Sequence, residues 1–383
     1  MPKLPKGFRA HVASIGIKDT SDDFVVVASD TPATAVGVFT KSRFAGCSVS
    51  LSRQALVDNQ LSAIAVISKN ANVATGPEGD SNAREVVSEV ARVLDVADSS
   101  VAIASTGVIG RHYPMEKVRS HLSTMRSPFV GQDAGEVATA IMTTDTHPKT
   151  ASATVGSTCI VGVAKGVGMI EPDMATLLTF FFTDAELGFG DLDPIFRRVM
   201  DGTFNAVSID TDTSTSDTAI IMANGRGGPV DHVAFESALR EVALALTKMV
   251  ALDGEGAQTL IEVRVDTARD DAQAKRVAKS IVNSPLVKTS VHGADPNWGR
   301  VAMAIGKCSE DFDIDQDVVV IRYGDVEAYP RLLSDEDLAR LSHYLESEEV
   351  LIHVSLGIGD GCFTAYGCDL TDGYIRINAD YTT

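Results

Sequence analysis

The segment KGVGMIEPDMATLLTFFFTDA, residues 165–185, carries a glycine-bearing polar run up to a threonine and then into an apolar block. A hydroxyl at that junction has a specific chemistry open to it. Thr176 can attack the carbonyl of Ala175, and the resulting cleavage leaves an N-terminal threonine whose own α-amine serves as its base. Gly166 and Gly168 make the approach deformable, and a strand start fixes the residues beyond the threonine. The same residue types also describe an ordinary half-buried strand threonine. Local physics leaves both readings open. A second candidate is IASTGVIGR, residues 103–111, where a strand-like run ends in Ser105-Thr106-Gly107. Glycine lets a backbone N–H approach a ligand closely, as an oxyanion site requires, although a plain strand exit has the same composition.

Three further patterns carry weaker chemistry. SIDTDTSTSD, 208–217, offers Asp210, Asp212 and Asp217. Clustered carboxylates suit a hard cation, but the spacing is not that of a calcium loop, and Ser/Thr/Asp runs favour turns and caps. The eight histidines are scattered, without a metalloprotease or catalytic-triad pattern. His292 reads as a satisfied structural residue, and GADPNWGR, 293–300, as a rigid loop around the only tryptophan. KGVGM is a lone G-x-G, so nucleotide binding is rejected.

The elements that must position these groups read as a mix of short strands and amphipathic helices. Strands are expected at 23–30, 62–68, 100–106, 218–224, 260–266 and 317–324. Helices are expected at 81–96, 235–252 and 271–284. In the second helix Phe235, Leu239, Val242, Leu244, Leu246 and Val250 form the apolar face, and Asp271 is the expected N-cap of the third. The pattern is that of α/β layers with helices covering sheets. No repeat or flexible linker divides the chain, whose 383 residues allow one large or two intimate domains.

Composition narrows the function. Lysine and arginine number 33 against 52 acidic residues, giving −19, which argues against sequence-independent binding to nucleic acid or an anionic membrane. The apolar blocks are too short to span a bilayer, and the N-terminus lacks a signal-peptide core. Five widely spaced cysteines without metal-type spacing are expected as buried free thiols in a reducing cytoplasm.

The ordered motifs PKGFRA (5–10), NANVATG (70–76), ASTGVIG (104–110), IMTTDT (141–146), AKGVGM (164–169), MIEPDMATLLTFFFTDA (169–185), FNAVSIDTDTSTSD (204–217), DGEGA (253–257), NSPLVKTSVHGADPNWGR (283–300) and YIRINADYTT (374–383) span nearly the whole chain. In them the sequence resembles the ornithine acetyltransferase family, self-cleaving N-terminal-threonine enzymes that move acetyl from N-acetylornithine to glutamate. The resemblance implies an αββα-type layered sandwich of the ornithine acetyltransferase and aminopeptidase superfamily, with two intertwined lobes. It implies self-cleavage between Ala175 and Thr176, giving an alpha fragment 1–175 and a beta fragment 176–383 that assemble as two of each. Thr176 matches the nucleophile, and Thr106 and Gly107 match the oxyanion pair. Substrate positions fall on Thr143, Lys165, Thr176, Glu255, Asn378 and Thr383. No metal or organic cofactor is implied, since the acetyl group rides on Thr176.

Glu171, Asp173, Thr211, Lys69 and Val73 depart from the usual motifs of the arginine-pathway enzymes. They are similar to a branch found in antibiotic gene clusters, notably that of clavulanic acid. Alternatives to the glutamate acetyltransferase reading are a superfamily hydrolase (aminopeptidase or deacylase), an acyltransferase on a secondary-metabolite amino acid, additional use of acetyl-CoA as donor, and an unprocessed metabolite-binding protein.

Overall fold

The computed structural model describes residues 1–171 and 177–380. Ala175, Thr176 and Thr383 therefore lie outside the described residues. The chain forms two compact units, each built from three chain segments: 1–166, 172–205 and 213–246 in the first, 167–171, 206–212 and 247–383 in the second. Each holds its own sheet, and the class is mixed α/β, as the alternation of strands and helices implies.

In unit 1, strands β1 (Phe8–Ala13), β2 (Phe24–Phe39), β3 (Gln60–Ile67), β4 (Val101–Ser105), β5 (Lys149–Val155), β6 (Thr158–Lys165), β7 (Leu178–Glu186) and β8 (Thr218–Pro229) form one sheet. Its order is β4-β3-β2-β8-β7-β6-β5, with β1 added to β2. The β7 sequence LTFFFTDA is buried on both faces, as its unbroken apolar run requires. Phe180 and Phe182 point into a core with Val161 and Val163 of β6. Phe181 points the other way and meets Phe196 edge to face at 5.9 Å. Phe196 belongs to helix α5 (Phe189–Asp201).

Helices α1 (Cys47–Ala55), α2 (Gly76–Leu94), α3 (Met115–Thr124) and α4 (Ala134–Ala140) complete the covering of this sheet. The α2 residues Ala83, Val86, Val90 and Ala91 share a core with Phe24, Val26, Ala63 and Ala65, while Val137 and Ala138 of α4 pack against Val25, Val27 and Ile64. The alternation along β2 and β3 thus feeds two opposite faces. Helix α6 (His232–Leu252) buries Phe235, Leu239, Val242, Leu246 and Val250 at helical spacing. Leu244, expected on that face, is only partly buried, because it lies two residues from both Val242 and Leu246 and falls on the flank.

Unit 2 carries β9 (Leu260–Ala268), β10 (Val320–Tyr323), β11 (Val326–Tyr329), β12 (Glu349–Ser355) and β13 (Gly361–Cys368), in the order β11-β10-β12-β9-β13. Helices α7 (Asp271–Val282), α8 (Pro285–His292), α9 (Trp298–Gly306) and α10 (Asp335–Leu345) bury Val277, Ile281, Val287, Val291, Val301 and Leu341 with the β9 and β12 residues. Helix α11 (Asp372–Asp380) closes the described chain and buries none of its residues.

Three expectations are corrected. The N-cap of α7 is Asp270, whose carboxylate accepts from Gln273 N–H, while Asp271 is the first helical residue and accepts from Cys362 N–H at 2.8 Å. The thiols are all free, but only Cys368 is buried and Cys362 is exposed. Trp298 does not sit in a loop; it opens α9 and stacks on Tyr329 at 4.9 Å.

Candidate functional site

Strand pairing fixes where the expected nucleophile joins the described chain. Leu178 is paired with Lys165 of β6 on one side and with Thr218 of β8 on the other. The Leu177 carbonyl accepts from Thr218 N–H at 2.9 Å. The strand that begins just after Thr176 is therefore flanked by Lys165 and by the start of β8, where Asp217 precedes Thr218.

Lys165 meets a second of the expected substrate residues. Its ammonium donates to the Thr143 hydroxyl at 3.1 Å. Behind this pair stands Asp145, which the sequence does not single out. Its carboxylate accepts from Thr143 N–H at 3.1 Å, from Gly166 N–H at 2.7 Å and from Lys149 Nζ at 2.7 Å. Burial alone would raise the Asp145 carboxyl, but the charges of Lys165 and Lys149 and the hydrogen bonds hold it below the usual carboxylate range. Lys149 opens β5 opposite Ala164, so the β5–β6 pairing sets it beside the end of β6.

Asp217 behaves in the opposite way. Both of its carboxylate oxygens are buried, and neither has a well-formed hydrogen bond among the described residues, the Ser214 hydroxyl and Leu177 amide being only nearby donors. Burial pushes its carboxyl well above the ordinary value, although the Ser214 hydroxyl, the charge of Lys165 and the Leu177 amide favour the anion. The raised carboxyl lies one residue before Thr218, the partner of Leu178 in the β7–β8 pairing.

The Thr106-Gly107 turn is shaped from outside. Thr106 N–H donates to the Ile67 carbonyl at 3.1 Å, closing the end of β4 against β3. Gly107 has φ +129°, and a Cβ there would lie 2.2 Å from the Lys69 carbonyl carbon and 2.5 Å from the Asn70 nitrogen. Only glycine fits so close to that backbone. The 69–74 segment against which it rests holds Lys69, Asn72 and Ala74 at φ 69°, 48° and 58°. Such left-handed residues are costly and persist where the surroundings over-determine them. Here the Ala71 N–H donates to the Val108 carbonyl at 3.1 Å and Gly110 N–H to that of Val73 at 2.9 Å, so two loops splint each other. Beneath the turn the Ser105 hydroxyl bonds Tyr113 and, at 2.7 Å, Ser48. Burial pushes the Tyr113 phenol up to about 12.

The remaining expected substrate residues belong to unit 2. Asn378 of α11 donates to the Glu255 carboxylate at 2.8 Å and to the Tyr374 carbonyl at 3.1 Å. Glu255 N–H donates to the Val167 carbonyl at 2.8 Å. A Cβ on Gly168 would meet the Glu255 carboxyl carbon at 2.8 Å, so that glycine gives the carboxylate room. The loop that carries Glu255 also anchors α11, through the bond from Thr371 Oγ1 to the Gly256 carbonyl at 2.7 Å.

The acidic run 208–217 is used locally. Asp210 accepts from Met169 and Ile170 N–H at 2.7 and 2.8 Å, which fastens the 167–171 segment within unit 2. Among the described residues no group of three or more His, Cys, Asp or Glu side chains is arranged to hold a metal ion. His292 is satisfied by Asp369 at 3.1 Å, as a structural histidine should be.

Thus Thr143 and Lys165 are brought together in unit 1, whose sheet also carries the Thr106-Gly107 turn, and Glu255 and Asn378 are brought together in unit 2. Asp145 and Lys149 are the residues that sequence reasoning missed; Asp217 reads in the sequence only as a cation ligand or turn former, not as a buried acid. The signal available was Asp145 inside IMTTDT, with Lys149 four residues on.

The sequence profile of the ArgJ family matches residues 9–383. The chain belongs to the ArgJ family. It is 60% identical over 388 aligned residues to a glutamate N-acetyltransferase of Streptomyces clavuligerus, covering all of this chain and 99% of that one. It is 55% identical to an arginine biosynthesis bifunctional protein of Nostoc, covering 99% and 98% of the two chains. A crystal structure of the corresponding bifunctional protein of Bacillus halodurans is 40% identical, covering 52% of this chain and 96% of that one at a TM-score of 0.48. As a member of the ArgJ family the chain is an acyltransferase. Among the described residues no helix is long and apolar enough to cross a membrane.

Proposed function

We propose that this chain transfers acetyl from N2-acetylornithine to glutamate by a ping-pong cycle through acetyl-Thr176, after cutting itself between Ala175 and Thr176. The observation that carries the reading is the strand register, which pairs Leu178, two residues past Thr176, with Lys165 and Thr218. The family and its named relatives supply the chemistry to which that register is fitted.

In the first half-reaction the Thr176 Oγ attacks the acetyl carbonyl and its proton passes to the α-amine of Thr176. The Thr106 hydroxyl and Gly107 N–H donate to the oxyanion of the tetrahedral intermediate. The carbon–nitrogen bond then breaks, the α-ammonium returns a proton to the departing ornithine nitrogen, and acetyl stays on Oγ. In the second half the glutamate amine attacks that ester and loses its proton to the α-amine; the acyl–Oγ bond breaks, the α-ammonium returns the proton to Thr176 Oγ, and N-acetylglutamate leaves. Donor and acceptor share an α-carboxylate, so the groups that hold it serve both. Lys165 and Thr143 hold the α-carboxylate, and Glu255, whose carboxylate accepts from Asn378, receives the cationic side-chain amine of the ornithine donor. Thr383 is assigned to substrate binding from its match to the family motif. No cofactor takes part. The fragments 1–175 and 176–383 stay together, two of each, in the cytoplasm.

Steady-state transfer from acetyl-labelled N-acetylornithine to glutamate tests this. Label in N-acetylglutamate, with parallel double-reciprocal lines as glutamate is varied, is the expected result. Label released as acetate regardless of glutamate would make the chain a hydrolase. Transfer to another amine in preference to glutamate would move it to a different pathway.

A further inference from the structure

The Asp145 side chain and its partner Lys149 are both fully enclosed. A buried ion pair of this kind is weak evidence for stability, because desolvating two charges offsets most of their attraction and apolar replacements are often as stable. The placement of the three donors suggests another use. Thr143 N–H lies on one expected substrate residue, and Gly166 N–H lies on the residue after the other, Lys165. The same carboxylate takes the Lys149 ammonium on the oxygen that binds Gly166. One rigid anion thereby ties the 143–149 segment to the end of β6, at the point where Lys165 Nζ reaches the Thr143 hydroxyl at 3.1 Å.

We infer that Asp145 is a positioning residue for substrate binding: anchored by Lys149, it fixes the Thr143–Lys165 pair in the geometry that receives the substrate α-carboxylate. This rests on the reading of Lys165 and Thr143 as substrate residues. Asp145 itself touches no substrate. It acts by removing the freedom of a long lysine and of the loop opposite, so that binding costs less ordering. Lys149 acts one step further back, holding Asp145 in its ionised, doubly accepting state.

The test is a kinetic cycle on the cleaved, assembled enzyme with Asp145→Asn, Lys165→Met and the two combined. Asp145→Asn sets a neutral amide against the enclosed Lys149 ammonium and can fail to fold for that reason alone. Asp145→Asn with Lys149→Met removes both charges and keeps the volume, and it is run in parallel. The expected result is a rise in KM for N-acetylornithine of about tenfold or more with a smaller change in kcat, the signature of lost binding. That rise should appear in the charge-free double variant too. Asp145→Asn should add little once Lys165 is methionine, since both act at one place. A charge-free variant that folds and keeps the normal KM would overturn the inference, as would fold-changes for Asp145 and Lys165 that simply multiply. Wild-type kinetics for Lys165→Met alone would instead remove Lys165 from the site, and with it the reading on which this inference stands.

Discussion

Replacing Gly107 by alanine perturbs the proposed oxyanion turn with one methyl group. The new Cβ would stand 2.2 Å from the Lys69 carbonyl carbon, where ordinary contact begins at 3.4 Å, so about 1.2 Å of separation is missing. The obstacle is backbone, and that backbone is already held in left-handed conformations by its bonds to Val108 and Gly110. It cannot swing aside as a side-chain tip would, so most of the displacement falls on residues 106–108. A shift of about 1 Å in a catalytic donor costs on the order of a hundredfold. Loss of one oxyanion donor outright costs about 10² to 10³ in kcat. The φ of +129° adds strain on the order of 1–3 kcal/mol, which lowers thermal stability without abolishing the fold. The assay is kcat for acetyl transfer on protein shown by circular dichroism and melting to be folded at the assay temperature. A drop of about a hundredfold or more is expected, while KM for N-acetylornithine changes little. A folded Gly107→Ala enzyme with a normal kcat would refute both the steric reasoning and the oxyanion assignment.

Asp217→Asn tests the raised carboxyl of the buried Asp217. A carboxyl raised in the folded state contributes stability that is fully present below its unfolded value of about 4 and is lost as pH climbs through the folded value. Wild-type melting temperature should therefore fall between pH 5 and pH 8 by more than that of Asp217→Asn, which keeps the shape and carries no charge; equal slopes would count against the burial argument. Lys165→Ala should raise KM for N-acetylornithine by about tenfold or more, since a charged hydrogen bond of about 1.5–3 kcal/mol is lost, and unchanged kinetics would take Lys165 out of the site. Thr176→Ala should run as one uncut chain on a denaturing gel, and two fragments would show that another residue does the cutting.

Much of the fold is legible because periodicity tracks burial. The apolar run 178–185 announces a strand covered on both faces, and it is one. Where polarity interrupts the run, the sequence misleads. Strand β2 continues past Asp30 to Phe39 through Thr31-Pro32, with a register shift between Ala28 and Ala33, so turn-like residues sit inside a long bent strand. Strand β10 begins only at Val320, because Asp317 and Val318 are taken up in the turn that precedes it. Helix α7 starts one residue earlier than its alanine-rich run suggests, since Asp270 and Asp271 are equivalent cap types and only the fold chooses between them. The site shows the same division. Thr106, Gly107, Thr143, Lys165, Glu255 and Asn378 stand in motifs and are named from them. Asp145 and Lys149 owe their meeting to the pairing of β5 with β6. Asp217 sits in a Ser/Thr/Asp run that reads as a turn, and only burial makes it an acid out of the ordinary.

The central claim is that Thr176 is made an N-terminal nucleophile by self-cleavage and then carries the acetyl group. Intact mass under denaturing conditions, recorded with and without N-acetylornithine, tests it most directly. Fragments matching 1–175 and 176–383 are expected, with only the second gaining one acetyl group in the presence of the donor. A single uncut chain, or acetyl on the first fragment, would contradict it.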